Sequence, residues 1–269
     1  MVFEIIGYGF MQKAFLTGIV IAIACSLLGV FLVLRRYALM GDGIAHISFG
    51  GIATGLLFNI MPFFGALIFG VIGSLGILKL REKARLYGDA AIGMVSHAGL
   101  GIGVFIASIA GGFNVDILSY LFGSILSIRS EEVLLSVFLS ACVIGVIALF
   151  YRELVYLTFD EDSARTSGVK VDALNTALIA LTAVTVVSSM RVVGLLLASA
   201  LIIMPATSAL QLKLSFRNTL ISSAAIAVLS VVLGLVAAYY FDFAVSGTIV
   251  LVNLSIFLAI ILLRRVFSR

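Results

Sequence analysis

Nine apolar runs follow one another along the chain, each close to the length a helix needs to cross a lipid bilayer, with short polar breaks between most of them. They lie near 11 to 34, 42 to 60, 62 to 80, 90 to 110, 132 to 151, 171 to 189, 192 to 211, 218 to 240 and 245 to 264. A hydrocarbon layer about 30 Å thick is spanned by about 20 helical residues. Inside it every backbone N–H and C=O must find its partner within the protein. Helices meet that demand, and the runs are too long and alternate too little for the strands of a closed barrel. Composition agrees: 62% of the 269 residues are apolar and 11% charged, against about half and a quarter in a soluble domain. A soluble globular enzyme is excluded. The expected fold is all-α and polytopic, one transmembrane unit over 1–269 with about nine spanning helices. The count drops to eight if Met190 and Arg191 only interrupt a broken element. The first run ends in Leu34, Arg35 and Arg36 with no small-residue cleavage site, so it reads as a span and not as a cleaved signal.

Nine spans put the two chain ends on opposite sides, and Lys and Arg are retained on the cytosolic side. One side would hold Arg35, Arg36, Lys79, Arg81, Lys83, Arg85, Arg152, Arg165, Lys170, Lys213, Arg217, Arg264, Arg265 and Arg269, fourteen in all; the other would hold Lys13, Arg129 and Arg191, three. The expected topology therefore has the N-terminus outside and the C-terminus in the cytosol. The net charge of +4 is spread in short clusters between apolar runs, which speaks for topology and against a nucleic-acid partner. Cys25 and Cys142 each lie in an apolar run and are read as small buried hydrophobes.

Two longer breaks stand out. The first, 111 to 131, encloses an apolar stretch near 117–128 that is too short to span and fits an outer re-entrant or interfacial segment. The second, 152 to 170, has mixed charge and room for a short helix, with Asp160, Glu161 and Asp162 in its first turn, where negative charge suits the helix dipole. A solvated connector is the competing reading of this loop.

Ionisable groups within membrane runs are costly and mark function. Asp42 and His46 open the second run four residues apart, a spacing that puts both on one helical face. Carboxylate and imidazole together suit a divalent metal but supply two of the four ligands of a closed zinc site. Spacing alone leaves open the alternative that Asp42 caps the helix and His46 bonds a neighbouring helix. His97 lies between Gly93 and Gly101, in what reads first as a packing seam and second as a ligand position. Pro205 interrupts the seventh run, as a kink or as a source of a free carbonyl. None of the five lysines follows a glycine, so there is no P-loop. His-Glu-x-x-His and Gly-x-Ser-x-Gly are missing too, and with them the machinery of an intramembrane hydrolase.

Several ordered blocks together resemble the integral-membrane permeases of zinc, manganese and iron ABC importers. They are Arg35-Arg36 through Gly41-Asp42 to His46, Gly88 to Gly93, Leu121 to Leu126, Phe159 to Asp162 with Ala164 and Gly168, Val193 to Leu201 with Pro205-Ala206, and Ser246 to Leu251. The resemblance covers nearly the whole chain. It implies a type II ABC importer-like permease in the cytoplasmic membrane of a bacterium or archaeon, working as a homodimer among membrane lipid. Each copy would be served by a cytosolic ATP-binding cassette ATPase, which binds the ATP, and by an extracytoplasmic metal-binding protein. The permease would hold no permanent cofactor and act by gating, with zinc, manganese or iron as cargo. The resemblance makes Phe159, Asp160, Glu161, Asp162, Ala164 and Gly168 the coupling residues and puts Asp42 and His46 in the metal path. At His97 the family more often carries a small or hydroxylated residue, so this position departs from its pattern. A permease for cobalamin or iron chelates would share the architecture, and metal uptake by the chain without any ATPase would mark a secondary transporter or channel.

Overall fold

The structure is a computed structural model, which describes residues 7–84, 87–109, 115–123, 130–190, 193–195 and 198–267. Among the described residues there is no strand. The helices are α1 (Gly9–Leu34), α2 (Met40–Leu57), α3 (Pro62–Ala84), α4 (Gly88–Ile109), α5 (Val115–Phe122), α6 (Ser130–Leu149), α7 (Tyr151–Phe159), α8 (Glu161–Thr166), α9 (Val171–Ser189), α10 (Ala198–Gln211), α11 (Phe216–Phe241) and α12 (Val245–Phe267). Among the described residues seven helices, α1, α3, α4, α6, α9, α11 and α12, are long and apolar enough to cross a membrane.

Two of the nine expected spans differ. α2 has 18 residues and falls short in apolarity because it carries five glycines, Asp42 and His46. Its middle is enclosed by protein: every residue from Ile47 to Ala53 is buried. The expected 192 to 211 run is broken. Residues 193–195 form a turn and α10 begins at Ala198 with 14 residues, about 21 Å of helix at 1.5 Å per residue. Pro205 is buried inside α10, which runs through it.

Glycine sets how closely the bundle packs. A Cβ on Gly51 would collide with the Gly65 carbonyl of α3, and one on Gly99 would lie 2.5 Å from Ile47 Cα. α2 is thus gripped by α3 and α4 backbone to backbone, the packing small residues permit between membrane helices. On the other side α1 is the buried hub, with Cys25, Leu28 and Phe31 fully enclosed and Gly29 against the Ile202 carbonyl of α10. Cys142, by contrast, is exposed on α6, so the expected burial holds for Cys25 alone.

Contacts sort the helix ends into two groups. Lys13 Nζ donates to Ser130 Oγ at 2.8 Å, and the rings of Tyr8 and Tyr239 lie 6.2 Å apart, at one end. Phe31 meets Phe216 at 5.4 Å, Arg35 pairs with Glu161, and Arg264 donates to Gln211 at 2.8 Å, at the other. The latter is the basic end. The start of α1 and the close of α12 therefore sit at opposite ends.

At the end away from the basic one, α5 covers the bundle where an outer segment near 117–128 is expected; 124–129 lies outside the described residues. Gly194, at φ +89°, presses against the close of α5, where a Cβ would lie 2.5 Å from the Leu121 carbonyl oxygen. Leu195 N–H donates to the Tyr120 carbonyl at 3.0 Å, satisfying one of the carbonyls a helix end leaves open. Only glycine fits a turn that is both left-handed and this crowded.

Candidate functional site

α2 starts at the basic end with Asp42 in its first turn and His46 one turn deeper. His46 Nε2 lies 3.6 Å from Asp42 Oδ2, with the side chains 26% and 47% exposed. That separation is long for a hydrogen bond. It matches two ligands of one ion held about 2.0–2.2 Å from each, at an angle close to tetrahedral. His46 Nδ1 is buried and has no hydrogen-bond partner among the described residues. The pair also stands without a third ligand: among the described residues, His, Cys, Asp and Glu form no group of three that could hold a metal.

His97 is exposed midway along α4, and its Nδ1–H donates to the Gly93 carbonyl at 2.7 Å. The structure corrects the expected seam. The face of α4 that packs on α2 runs through Ser96, Gly99 and Gly103, whereas a Cβ on Gly93 or Gly101 would meet nothing within 4 Å. His97 therefore stands on the open face of its helix, and one chain does not group it with Asp42 and His46.

The 152 to 170 break folds into two short helices, α7 and α8, joined at Asp160. Asp160 caps α8: its carboxylate accepts from the Ser163 amide at 2.9 Å and the Ser163 hydroxyl at 2.6 Å. These bonds hold its carboxyl below the ordinary aspartate value. Ala164 is fully buried against Leu157 and Val171 in a small core of its own, so it seats the helix and is no part of its outer face. Phe159 is 65% exposed while its ring edge meets Phe216 at 5.5 Å. Glu161 is turned inward to Arg35, Asp162 is exposed, and Gly168, at φ +85°, makes the left-handed turn out of α8.

Two buried charged contacts escape the sequence reading. Arg35 reads there as a topology marker and as part of the Arg35-to-His46 block, yet its side chain is 6% exposed and bridges Glu161 at 2.6 Å and Asn175. Burial draws its guanidinium below the ordinary value, and Glu161 opposes that shift. Glu132 is the other. It opens α6, is 1% exposed, and accepts from the Tyr120 hydroxyl at 3.2 Å. A carboxylate at the very start of an apolar run was the available signal, since such a group needs a partner if it is drawn inside.

The model of the ABC 3 transport family matches residues 7–264. A probable metal transport system membrane protein of Treponema pallidum is 37% identical over 259 residues, 96% of this chain and 97% of that protein. The manganese transport system membrane protein MntC of Listeria innocua is 33% identical over 250 residues, 93% of this chain and 89% of its own. Among solved structures, PsaBC from Streptococcus pneumoniae in complex with Fab matches at a TM-score of 0.87 and 30% identity, covering 97% of this chain and 95% of that one.

Proposed function

The chain belongs to the ABC 3 transport family, and from that premise we propose that it is the permease subunit of an ATP-driven importer carrying a divalent transition metal, zinc, manganese or iron, across the cytoplasmic membrane. Relatives named for metal and manganese transport support the cargo class. The observation that carries the reading is the Asp42–His46 pair, whose 3.6 Å spacing fits two ligands of one ion. Two ligands are half a set. A second copy, related by a two-fold axis and presenting the same partly exposed pair, would bring four. His97, on the open face of α4, is a further ligand position along the same path.

The pair's incompleteness suits cargo. A histidine that ligates through one nitrogen ordinarily donates from the other, and losing such a partner costs about 10- to 100-fold in affinity. His46 Nδ1 has no such partner among the described residues, so an ion held here is held loosely enough to leave. In this reading the basic end faces the cytosol, which puts the N-terminus outside and the C-terminus inside. An ATP-binding cassette ATPase seats α7 and α8, with Phe159 and Asp162 on the contact face and Asp160, Glu161, Ala164 and Gly168 holding its shape. ATP draws the two ATPase copies together, α8 follows, and the bundle switches between two states that open to opposite sides. A metal-binding protein delivers cargo at the α5 end, and lipid covers the apolar outer helices. The subunit itself performs no covalent chemistry.

The test is ATP-dependent uptake of zinc and manganese isotopes into proteoliposomes holding the permease, its ATPase and its binding protein. Asp42→Ala and His46→Ala are each expected to cut uptake by at least about 10-fold, no less than the loss of an outer partner of a ligand costs, while the complex still assembles. Undiminished uptake in both variants returns the pair to capping and packing.

A further inference from the structure

We infer that Arg35 is the joint that carries movement of α8 to the helix bearing Asp42 and His46. The inference rests on the coupling role proposed above for α8, and goes beyond it by naming the route into the bundle.

Arg35 closes α1, and its guanidinium holds three elements at once. Nη2 donates to Glu161 Oε2 at 2.6 Å, in the first turn of α8, and Nη1 donates to Asn175 Oδ1, on α9. A guanidinium presents its donors in one rigid plane, so two bonds from different nitrogens leave it no freedom to swing. Tyr37 is a further neighbour: Arg35 Cζ lies 5.8 Å from the centre of that ring, and Arg81 Cζ of α3 lies 4.7 Å from the same ring. Tyr37 belongs to the short link between α1 and α2, and that link is taut. Tyr37 N–H donates to the Leu32 carbonyl at 2.7 Å, Met40 N–H donates to the Tyr37 carbonyl at 2.9 Å, and Arg36 takes a left-handed φ of +60°. Two residues beyond Met40 comes Asp42. A shift of Glu161 therefore reaches the first turn of α2 through Arg35 and Tyr37 without slack.

The joint can also let go. Glu161 is 43% exposed, and its other oxygen lies 3.9 Å from Arg165, which is itself bonded to Asp172 at 2.8 Å. Glu161 thus has a second cation beside it, so α8 has an alternative pairing if ATPase movement draws it from Arg35. Arg35 has nothing equivalent to gain from Arg81, which is of like charge. The asymmetry makes Arg35 the fixed member of the pair and Glu161 the moving one.

Arg35 is on this account a positioning residue, and its signature is the amount of metal moved per ATP hydrolysed. The experiment reconstitutes the permease with its ATPase and binding protein and measures manganese uptake and ATP hydrolysis in the same vesicles, with co-purification of the ATPase reporting assembly. Arg35→Lys keeps the charge but loses the fork, and Glu161→Gln removes the charge from a half-exposed side chain. Both are expected to lower the uptake-to-hydrolysis ratio by roughly fivefold or more, the lower end of ordinary coupling between sites. The swapped Arg35→Glu/Glu161→Arg double variant should recover part of it. An unchanged ratio in the assembled Glu161→Gln complex overturns the inference, whether or not Arg35→Lys folds. Phe159→Ala and Asp162→Arg, on the outer face, separate the two levels. If they disturb ATPase assembly while the ratio in Glu161→Gln stays at the wild-type value, only the joint is refuted; if they leave assembly and uptake untouched, the coupling role of α8 fails and Arg35 falls with it.

Discussion

α2 and α8 are each held by neighbours on two sides, but the means differ. α2 meets α3 and α4 through glycine, with Gly51 on the Gly65 carbonyl and Gly99 on Ile47 Cα. α8 meets α1 through side-chain charge, with Glu161 on Arg35, and α9 through both charge and a small apolar core, with Arg165 on Asp172 and Ala164 on Val171. Backbone contact at van der Waals distance has one arrangement, because close-packed interiors deform little. Arg35 is buried, but Glu161, Arg165 and Asp172 are exposed, and pairs on that exposed side can exchange partners at small cost. Asp42 and His46 thus stand on a tightly packed body, and α8 sits on contacts that can re-pair. The proposed function would use both: a stiff part to shift the two side chains together and a soft part where the shift begins.

The largest expected effect comes from making one identical change on both kinds of surface. Gly51→Ala adds a single carbon where the Gly65 backbone already stands, and overpacking of this sort typically costs about 1–3 kcal/mol. Gly101→Ala adds the same carbon to open space on α4 and should raise stability by about 0.5–1 kcal/mol, the ordinary difference between alanine and glycine within a helix. Thermal unfolding of the purified permease in detergent would read both. If Gly51→Ala melts where wild type does, the α2–α3 contact is softer than its geometry says and the contrast collapses.

A smaller effect is expected at the corner between α5, the 193–195 turn and α6, which combines both devices: Gly194 against the close of α5, and Tyr120 donating to the buried Glu132. Tyr120→Phe removes the polar half and leaves the packed half. At 3.2 Å the bond is a modest one, and its loss should cost about 1 kcal/mol, read as a lowered melting point with the α2 body intact. A change no larger than that of a surface substitution would mean that the Tyr120 hydroxyl adds nothing to this corner.

How much of this could be read from the chain alone follows the same division. Run length and the satisfaction of backbone groups predict the long helices, and charge parity predicts that α1 starts and α12 finishes at opposite ends. Asp42 and His46 share a face because a spacing of four always does so on a helix. What escaped depends on which helices become neighbours. Nothing local in Arg35 says that Glu161, 126 residues later, will meet it. His97 lies between two glycines, and glycine pairs read as seams, yet the seam of α4 is one face away at Gly99 and Gly103. An interruption at Met190 and Arg191 is legible in the sequence, but its extension through a turn at 193–195 is not, because leucine and valine fill a turn as readily as a helix and the contact of Gly194 with α5 fixes it.

The smallest prediction bears on the soft side of the comparison and concerns pH. Asp160 accepts two hydrogen bonds from Ser163, and these hold its carboxyl below the ordinary value in the folded chain. A group whose folded pKa is depressed contributes stability that is present above its unfolded pKa and lost as pH falls through the folded one. The cap on α8 should therefore be intact from neutral pH down to about 3.9, the ordinary aspartate value, and weaken progressively only below it. Hydrogen exchange at the Ser163 amide, corrected for the intrinsic rate at each pH, reports that loss directly. Asp160→Asn provides the control, because asparagine caps a helix about as well as aspartate and does not titrate; its Ser163 amide should show no acid step. An equal step in both chains would mean that acid loosens α8 by a route other than the Asp160 cap.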